Sequence, residues 1–271
     1  MKGTELLRYC TTCLPRFGKV AGRIEHEPKG IFPSEALLII SLAHGLNVSR
    51  LVESGRARGY STRLFAEYFK DDADFEIVSI DYDRHSNDAD YSAAQLKTYA
   101  HVSLVYGDAT QILPEYTTDD CVVFIDGPKG DDALLLAADA LRRPHVKAVC
   151  VHDLHRNTFY RTIFETIFTD TFFSDDDRFV KAVGFLDELA FLRIVTDPAG
   201  QPVFVHCREG EDRTGMMVAV YRMVVQDWPK GKAMAEMKRM GFNEVWEPLE
   251  DYLEDFDPAK MKRQLHSNTA H

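Results

Sequence analysis

The stretch Val52-Glu53-Ser54-Gly55-Arg56-Ala57-Arg58-Gly59-Tyr60-Ser61-Thr62 decides the fold of the first two thirds of the chain. A short apolar run, 51–53, enters a glycine-rich turn of the form E-x-G-x-A-x-G. A helix follows over 62–69, where Leu64, Phe65, Tyr68 and Phe69 recur at helical spacing. Further along, apolar strands are expected at 75–80, 102–106, 122–125 and 148–151, and an alanine- and leucine-rich helix at 133–141. Each strand ends in a polar residue: Asp81, Gly107-Asp108, Asp126-Gly127 and His152-Asp153. Alternating strands and helices of this kind imply an α/β fold with a doubly wound, Rossmann-like parallel sheet. Ligands bind such sheets outside the carboxyl ends of the strands, where these acids collect.

Length and charge set further bounds. With 271 residues, 45% hydrophobic and 28% charged, the chain can bury a full core and add a smaller part. A net charge of -11 argues against nucleic-acid wrapping and against docking on anionic membrane. No apolar run reaches the ~18–20 residues that span a bilayer, and the N-terminus lacks a long apolar leader, so a cytoplasmic location is expected. The five cysteines do not make a disulfide framework. Cys10 and Cys13 form a CxxC pair without a second pair for zinc. Cys121 and Cys150 sit in apolar runs and read as core.

The last third changes character. A turn over 196–202 precedes the expected strand Val203-Phe204-Val205. The loop His206-Cys207-Arg208-Glu209-Gly210-Glu211-Asp212-Arg213-Thr214-Gly215 then opens into an apolar helix over 216–225. A second helix, 231–240, carries Met234, Met237 and Met240 on one face, and the polar tail after Asp257 is expected to fray. A Cys-x5-Arg loop between strand and helix makes an anion cradle. Backbone N–H groups from Arg208 to Arg213 converge, and the helix N-terminus adds positive potential that favours the Cys207 thiolate. Arg213 can grip a phosphoryl group through two oxygens, and Thr214 places a hydroxyl near the sulfur.

These residues resemble the dual-specificity and tyrosine phosphatase superfamily, with its HCxxGxxR[ST]G signature, over about 191–256. The resemblance implies Cys207 as nucleophile and Arg213 as phosphate-binding residue. The family's upstream strands are missing or replaced. Its general acid is an aspartate some thirty residues earlier, and Asp175 (207 − 175 = 32) and Asp177 stand near that spacing. The run 174–177 reads more readily as a solvated acidic loop. Glu209, Glu211 and Asp212 make the loop acidic, which favours a phosphoprotein or simple monoester over a polyphosphate.

The first part is similar to class I S-adenosylmethionine-dependent methyltransferases over about 30–188. That likeness implies a cofactor site with Glu53, Gly55 and Gly59 at the methionine end, Asp81 on the ribose, Asp108 near the adenine, and Asp126 closing the fourth strand. Asp126 and Asp153 could hold Mg²⁺, as in catechol-type relatives, or serve as turn and cap residues. His152 and His155 are candidate bases, or structural and solvated groups as histidines after strands usually are.

The expected division is a methyltransferase-like domain at 1–190, a phosphatase-like segment at 191–257 and a tail at 258–271. The first expectation is phosphate-ester hydrolysis through Cys207, acting on a phosphorylated protein or small phosphomonoester. One alternative is a small-molecule methyltransferase with a vestigial phosphatase-like tail. The other is a non-catalytic phosphate-binding scaffold.

Overall fold

A computed structural model describes residues 3–27, 30–154, 158–168, 170–205, 211–243 and 247–267, with 247, 248 and 267 described by their backbone alone. Two compact units divide the chain, Met1–Ser174 and Asp175–His271.

The first unit is built on five parallel strands: β1 (Arg50–Ser54), β2 (Glu76–Asp81), β3 (Val102–Tyr106), β4 (Cys121–Ile125) and β5 (Val146–Val151). Their order is β3-β2-β1-β4-β5. The chain therefore steps outward from β1 to β3, then returns to lay β4 on the other side of β1. That reversal is the switch point at which open α/β sheets bind ligands. Register fixes what emerges there. Ser54 pairs with Ile80 of β2 and with Ile125 of β4, so Gly55, Asp81 and Asp126 leave the sheet at one edge.

Burial explains the strands. Leu51, Val52, Ile77 and residues 121–125 are almost wholly enclosed, as expected of a sheet covered on both faces. On one face lie α1 (Gly3–Ala21), α2 (Pro33–Gly45) and α3 (Tyr60–Phe69), which pack on one another. Helix α2 is buried nearly all round, through Ala36, Leu37, Ile39, Ile40 and Ala43. Cys10, Cys13 and Phe17 turn one face of α1 inward. Burial pushes the Cys10 thiol up to about 11, against a hydrogen bond with Ser41, so this thiol is an inert core group. Around the sheet run α4 (Asn87–Leu96), α5 (Ala109–Tyr116), α6 (Asp131–Leu141) and α7 (Phe159–Ile167). Leu113, Leu136 and Phe164 join Val123 and Ile125 in one apolar cluster.

Among its described residues the second unit is helical: α8 (Asp177–Val183), α9 (Phe185–Thr196), α10 (Asp212–Val224), α11 (Lys230–Arg239), α12 (Glu247–Asp255) and α13 (Pro258–Ser267). Leu189, Leu192, Val220, Met223, Met237, Leu253 and Met261 share its core.

Three expectations are corrected here. Val203-Phe204-Val205 is not a strand, and Phe204 is 86% exposed. The tail does not simply fray, because α13 brings Met261 to 2% exposure in the core. Of the methionine stripe, Met237 is buried while Met240 lies in the open beyond the end of α11. Among the described residues, no helix is long and apolar enough to cross a membrane.

Candidate active sites

In the first unit an open cleft of about 600 Å³ lies at the carboxyl ends of the strands. Its lining includes Gly55, Ala57, Asp81, Asp126, Lys129 and His152. A volume of this order accommodates a nucleoside-sized ligand. The loop after β1 shapes one wall. Gly55 has φ +90, and a Cβ there would stand 2.4 Å from the Gly127 nitrogen, so the loops after β1 and β4 touch through bare backbone. Asp81 fixes the same loop: its Oδ2 accepts from the Arg56 and Ala57 N–H groups at 2.8 and 2.9 Å. Its Oδ1 accepts from the Asp83 N–H at 2.9 Å. A carboxylate offers about four acceptor positions, so about one remains for a ligand hydroxyl.

Glu53 stands behind the cleft and does not line it. Its carboxylate is fully enclosed and accepts from the hydroxyls of Ser61 (2.5 Å), Ser79 (2.6 Å) and Thr62. Burial raises its pKa above the usual carboxylate range, against those three hydrogen bonds and the Arg56 charge. Here Glu53 ties β1, β2 and the start of α3 together. Gly59 likewise sits outside the lining; at φ 77 it caps α3 where a Cβ would press on Ser92 and Leu96. Asp108 is turned to its own helix, accepting from the Thr110 N–H (2.9 Å) and the Thr110 hydroxyl (2.7 Å) as the cap of α5. These caps and knots use the same residue types that ligand contacts use, which is why sequence alone did not separate them.

At the opposite wall, His152 Nδ1 lies 2.9 Å from Asp126 Oδ1 and Nε2 lies 3.3 Å from Glu35 Oε2. Burial alone would lower the imidazole pKa. Hydrogen bonds and charge from Asp126 and Glu35 outweigh it and push the pKa up to about 10, which favours the imidazolium form. Lys129 Nζ donates to Asp126 Oδ1 at 2.6 Å and pairs with Asp153 Oδ2 at 2.7 Å. Despite burial, bonds from His152 and Lys129 hold Asp126 below its usual range. His155 lies outside the described residues. Lys129, Asp83, Ser86 and Asp88 also line the cleft and were not expected there. The available signals were a lysine three residues past a strand-end acid and the Asp83-x-x-Ser86 start of a helix.

The phosphatase-like loop is only partly described: His206, Cys207, Arg208, Glu209 and Gly210 lie outside the described residues. Beyond them the chain turns into a helix. α10 begins at Asp212, earlier than expected, so its first turn contains Arg213, Thr214 and Gly215. First-turn N–H groups have no intrahelical acceptor and favour an anion. Arg213 is exposed, and the Thr214 hydroxyl is buried with no hydrogen-bond partner among the described residues. Asp212 Oδ1 accepts from the Asn243 N–H at 2.8 Å, and the Glu211 side chain packs over Gly241. Both acidic side chains thus face the end of α11. Gly215 lets α10 approach α11, since a Cβ there would stand 3.0 Å from Met237 Cγ. Asp175 lies in the turn before α8, where Asp176 caps the helix and binds the Arg178 guanidinium.

Comparison with known families divides the chain in the same sense as its chemistry. A family described as "Methyltransferase domain" matches residues 52–154, and "DSP-PTPase phosphatase fused to NAD+ Kinase" matches residues 186–247. The chain is thus similar to a methyltransferase domain in its first part and to dual-specificity phosphatases in its last third. Among particular relatives, dual specificity protein phosphatase TpbA of Pseudomonas aeruginosa is 51% identical over 43 residues, 16% of this chain and 20% of that protein. Inositol diphosphatase SIW14 of Saccharomyces cerevisiae is 31% identical over 77 residues, 28% of this chain and 27% of that one. The chain thus spans about a quarter or less of these relatives' length. Among solved structures, the SAH-bound Podospora anserina methyltransferase PaMTH1 aligns at 19% identity and TM-score 0.41, covering 70% of this chain and 85% of that one. The O-methyltransferase TomG of Streptomyces achromogenes, in complex with SAM, aligns at 22% identity and TM-score 0.40, covering 65% and 76%.

Proposed function

We propose that the second unit is a cysteine-dependent phosphatase acting on phosphoproteins or simple phosphomonoesters. The observation that carries this reading is the Cys-x5-Arg spacing running directly into α10, within the matched residues 186–247. The Cys207 thiolate attacks phosphorus as the bond to the ester oxygen breaks, and that oxygen takes a proton from a general acid. Water then cleaves the sulfur–phosphorus bond, returning the thiolate and releasing phosphate. Arg213 holds the equatorial oxygens, and the Thr214 hydroxyl assists the leaving sulfur. Asp175, 32 residues before Cys207, is the general acid in this scheme. The wild-type full chain is expected to hydrolyse p-nitrophenyl phosphate, and Cys207→Ser to abolish the rate. Asp175→Asn should slow alkyl phosphates far more than this activated aryl ester. An inactive wild type whose Cys207 is still protected from alkylation by phosphate identifies a binding module instead.

A second reading concerns the first unit, where the cleft and Asp81 support binding of S-adenosylmethionine. The cofactor supplies an electrophilic methyl group on a sulfonium. Gly55 and Ala57 offer bare backbone beside it, and Asp81 has capacity for about one ribose hydroxyl. Calorimetry should give a heat of binding that weakens about tenfold in Asp81→Asn, the loss of one charge-assisted hydrogen bond. Absence of binding to the folded wild type removes this reading and leaves the phosphatase untouched.

A further inference from the structure

The Asp126–Asp153 pair has the look of a divalent-cation site, and Asp126, His152 and Asp153 bring three potential ligand atoms within 4.8 Å of one another. The occupied geometry is different. The Lys129 ammonium lies 2.6 Å from Asp126 Oδ1 and 2.7 Å from Asp153 Oδ2, bridging the two carboxylates. His152 is unsuited to a metal as well, since its ring nitrogens lie against carboxylates on both sides, Asp126 and Glu35. A ligating imidazole must offer a bare nitrogen lone pair, whereas both nitrogens here sit where N–H donors are wanted.

We propose that Lys129 is this chain's own replacement for a divalent cation: its ammonium ties Asp126 to Asp153 and excludes a metal ion from between them. Three observations meet in this assignment. The two contacts are short and made to two different loops, those after β4 and β5. The tether is local, because Lys129 follows Asp126 by three residues across the Gly127-Pro128 turn. Its side chain is 50% exposed and lines the cleft, so the ammonium is also the positive group an acceptor molecule meets at this wall. The Lys129 ammonium thus supplies positive charge between the Asp126 and Asp153 carboxylates without any ion. A magnesium ion keeps several waters and needs only one or two carboxylates, so it is the ammonium seated between them, not a shortage of ligands, that keeps the ion out.

The exclusion is independent of methyl transfer, so its test uses Mn²⁺ alone on the full chain, read by electron paramagnetic resonance. Wild type is expected to show no stoichiometric site below millimolar Mn²⁺. Lys129→Ala and Lys129→Gln are expected to gain one, at least tenfold tighter, and Asp126→Asn in the same background to lose it. Thermal melts of each variant verify that the fold persists. Stoichiometric micromolar binding by wild type that Asp126→Asn abolishes overturns the proposal. So does the failure of both folded Lys129 variants to gain a site. Calorimetry with S-adenosylmethionine is a separate arm, and its failure bears on the cofactor reading alone.

Discussion

In the first unit every acidic strand end at the cleft is answered by a partner. Asp81 receives three backbone N–H groups, Asp126 receives His152 and Lys129, and Asp153 receives Lys129. Buried polar atoms without a partner among the described residues occur in both units, Arg56 Nη2 among them in the first. In the second unit the start of α10 has no side-chain cap among the described residues, and the Thr214 hydroxyl and Glu188 Oε2 are buried without a partner among them. A sheet edge ties its site together from several strands, so site and fold share the same residues. A helix N-terminus presents its donors from one local turn, so they can serve an anion without the core depending on them. The two units therefore differ in how far chemistry can be removed without removing structure.

The sharpest way to break that comparison is Arg213→Ala. Its side chain is exposed, so stability should move by no more than about 0.5 kcal/mol. Turnover of p-nitrophenyl phosphate should fall by roughly 10²–10³, the usual cost of one preorganised charge-stabilising donor. A melt that shifts together with the rate would show that chemistry and fold are coupled here too. In the first unit the counterpart is Gly55→Ala. The new Cβ meets the Gly127 nitrogen at a positive φ, and the two loops must part. Denaturant unfolding should register a loss of about 2–3 kcal/mol, together with loss of ligand binding in the cleft. If Gly55→Ala lost binding at unchanged stability, the claim that the cleft is built into the fold would fail.

Much of the first unit was legible in the sequence, because a buried parallel sheet writes its strands as apolar runs and its switch point as acids after them. All five strands and the edge at which Gly55, Asp81 and Asp126 emerge accord with that pattern. Partner choice was not legible. Whether Glu53 faces a ligand or three hydroxyls depends on Ser61, Thr62 and Ser79 meeting in space, and only Ser61 and Thr62 are near it in sequence. Lys129 was overlooked because its role requires β4 and β5 to be neighbours. In the second unit the loop signature was plain, but Val203-Phe204-Val205 misled: a strand-like composition does not supply a partner strand. The polar composition of α13 hides its inward residues, Met261 and Leu265.

The contrast also has a pH signature. Glu188, 4% exposed on α9, has its pKa pushed up to about 8, first by burial and then by the Asp187 charge, with the Tyr252 hydroxyl beside it acting against them. Its unfolded value is the ordinary carboxylate one, so between about pH 4.5 and 8 the unfolded chain has released a proton that the folded chain keeps. Stability from this group therefore falls as pH rises across that window. His152 works in another range: raised to about 10, it contributes stability fully present below about 6.5 and lost as pH climbs through 10. Glu188→Gln should gain about 2 kcal/mol relative to wild type at pH 8.5, and little or nothing at pH 4.5, in urea titrations at the two pH values. A difference that does not change with pH would mean that the carboxyl is not held protonated by the fold.

The smallest effects come from three helical glycines and test how tightly each unit packs its helices. Nothing lies within 4 Å of a Cβ added at Gly18 in α1 or Gly231 in α11, whereas at Gly215 in α10 it meets Met237 Cγ at 3.0 Å. Alanine in a helix is favoured over glycine by up to about 1 kcal/mol, through lost freedom in the unfolded chain. Gly18→Ala should therefore stabilise by roughly 0.5–1 kcal/mol, and Gly231→Ala by less, because it lies in the first turn where propensity counts for little. At Gly215 the same gain is offset by the need for Met237 to move, and a thioether chain has the torsions to do so at modest cost. The net change for Gly215→Ala should then lie within about 0.5 kcal/mol of zero in chemical denaturation. A loss of 2 kcal/mol or more would show Met237 locked in place, making α10 and its first turn as dependent on close packing as the loop at Gly55.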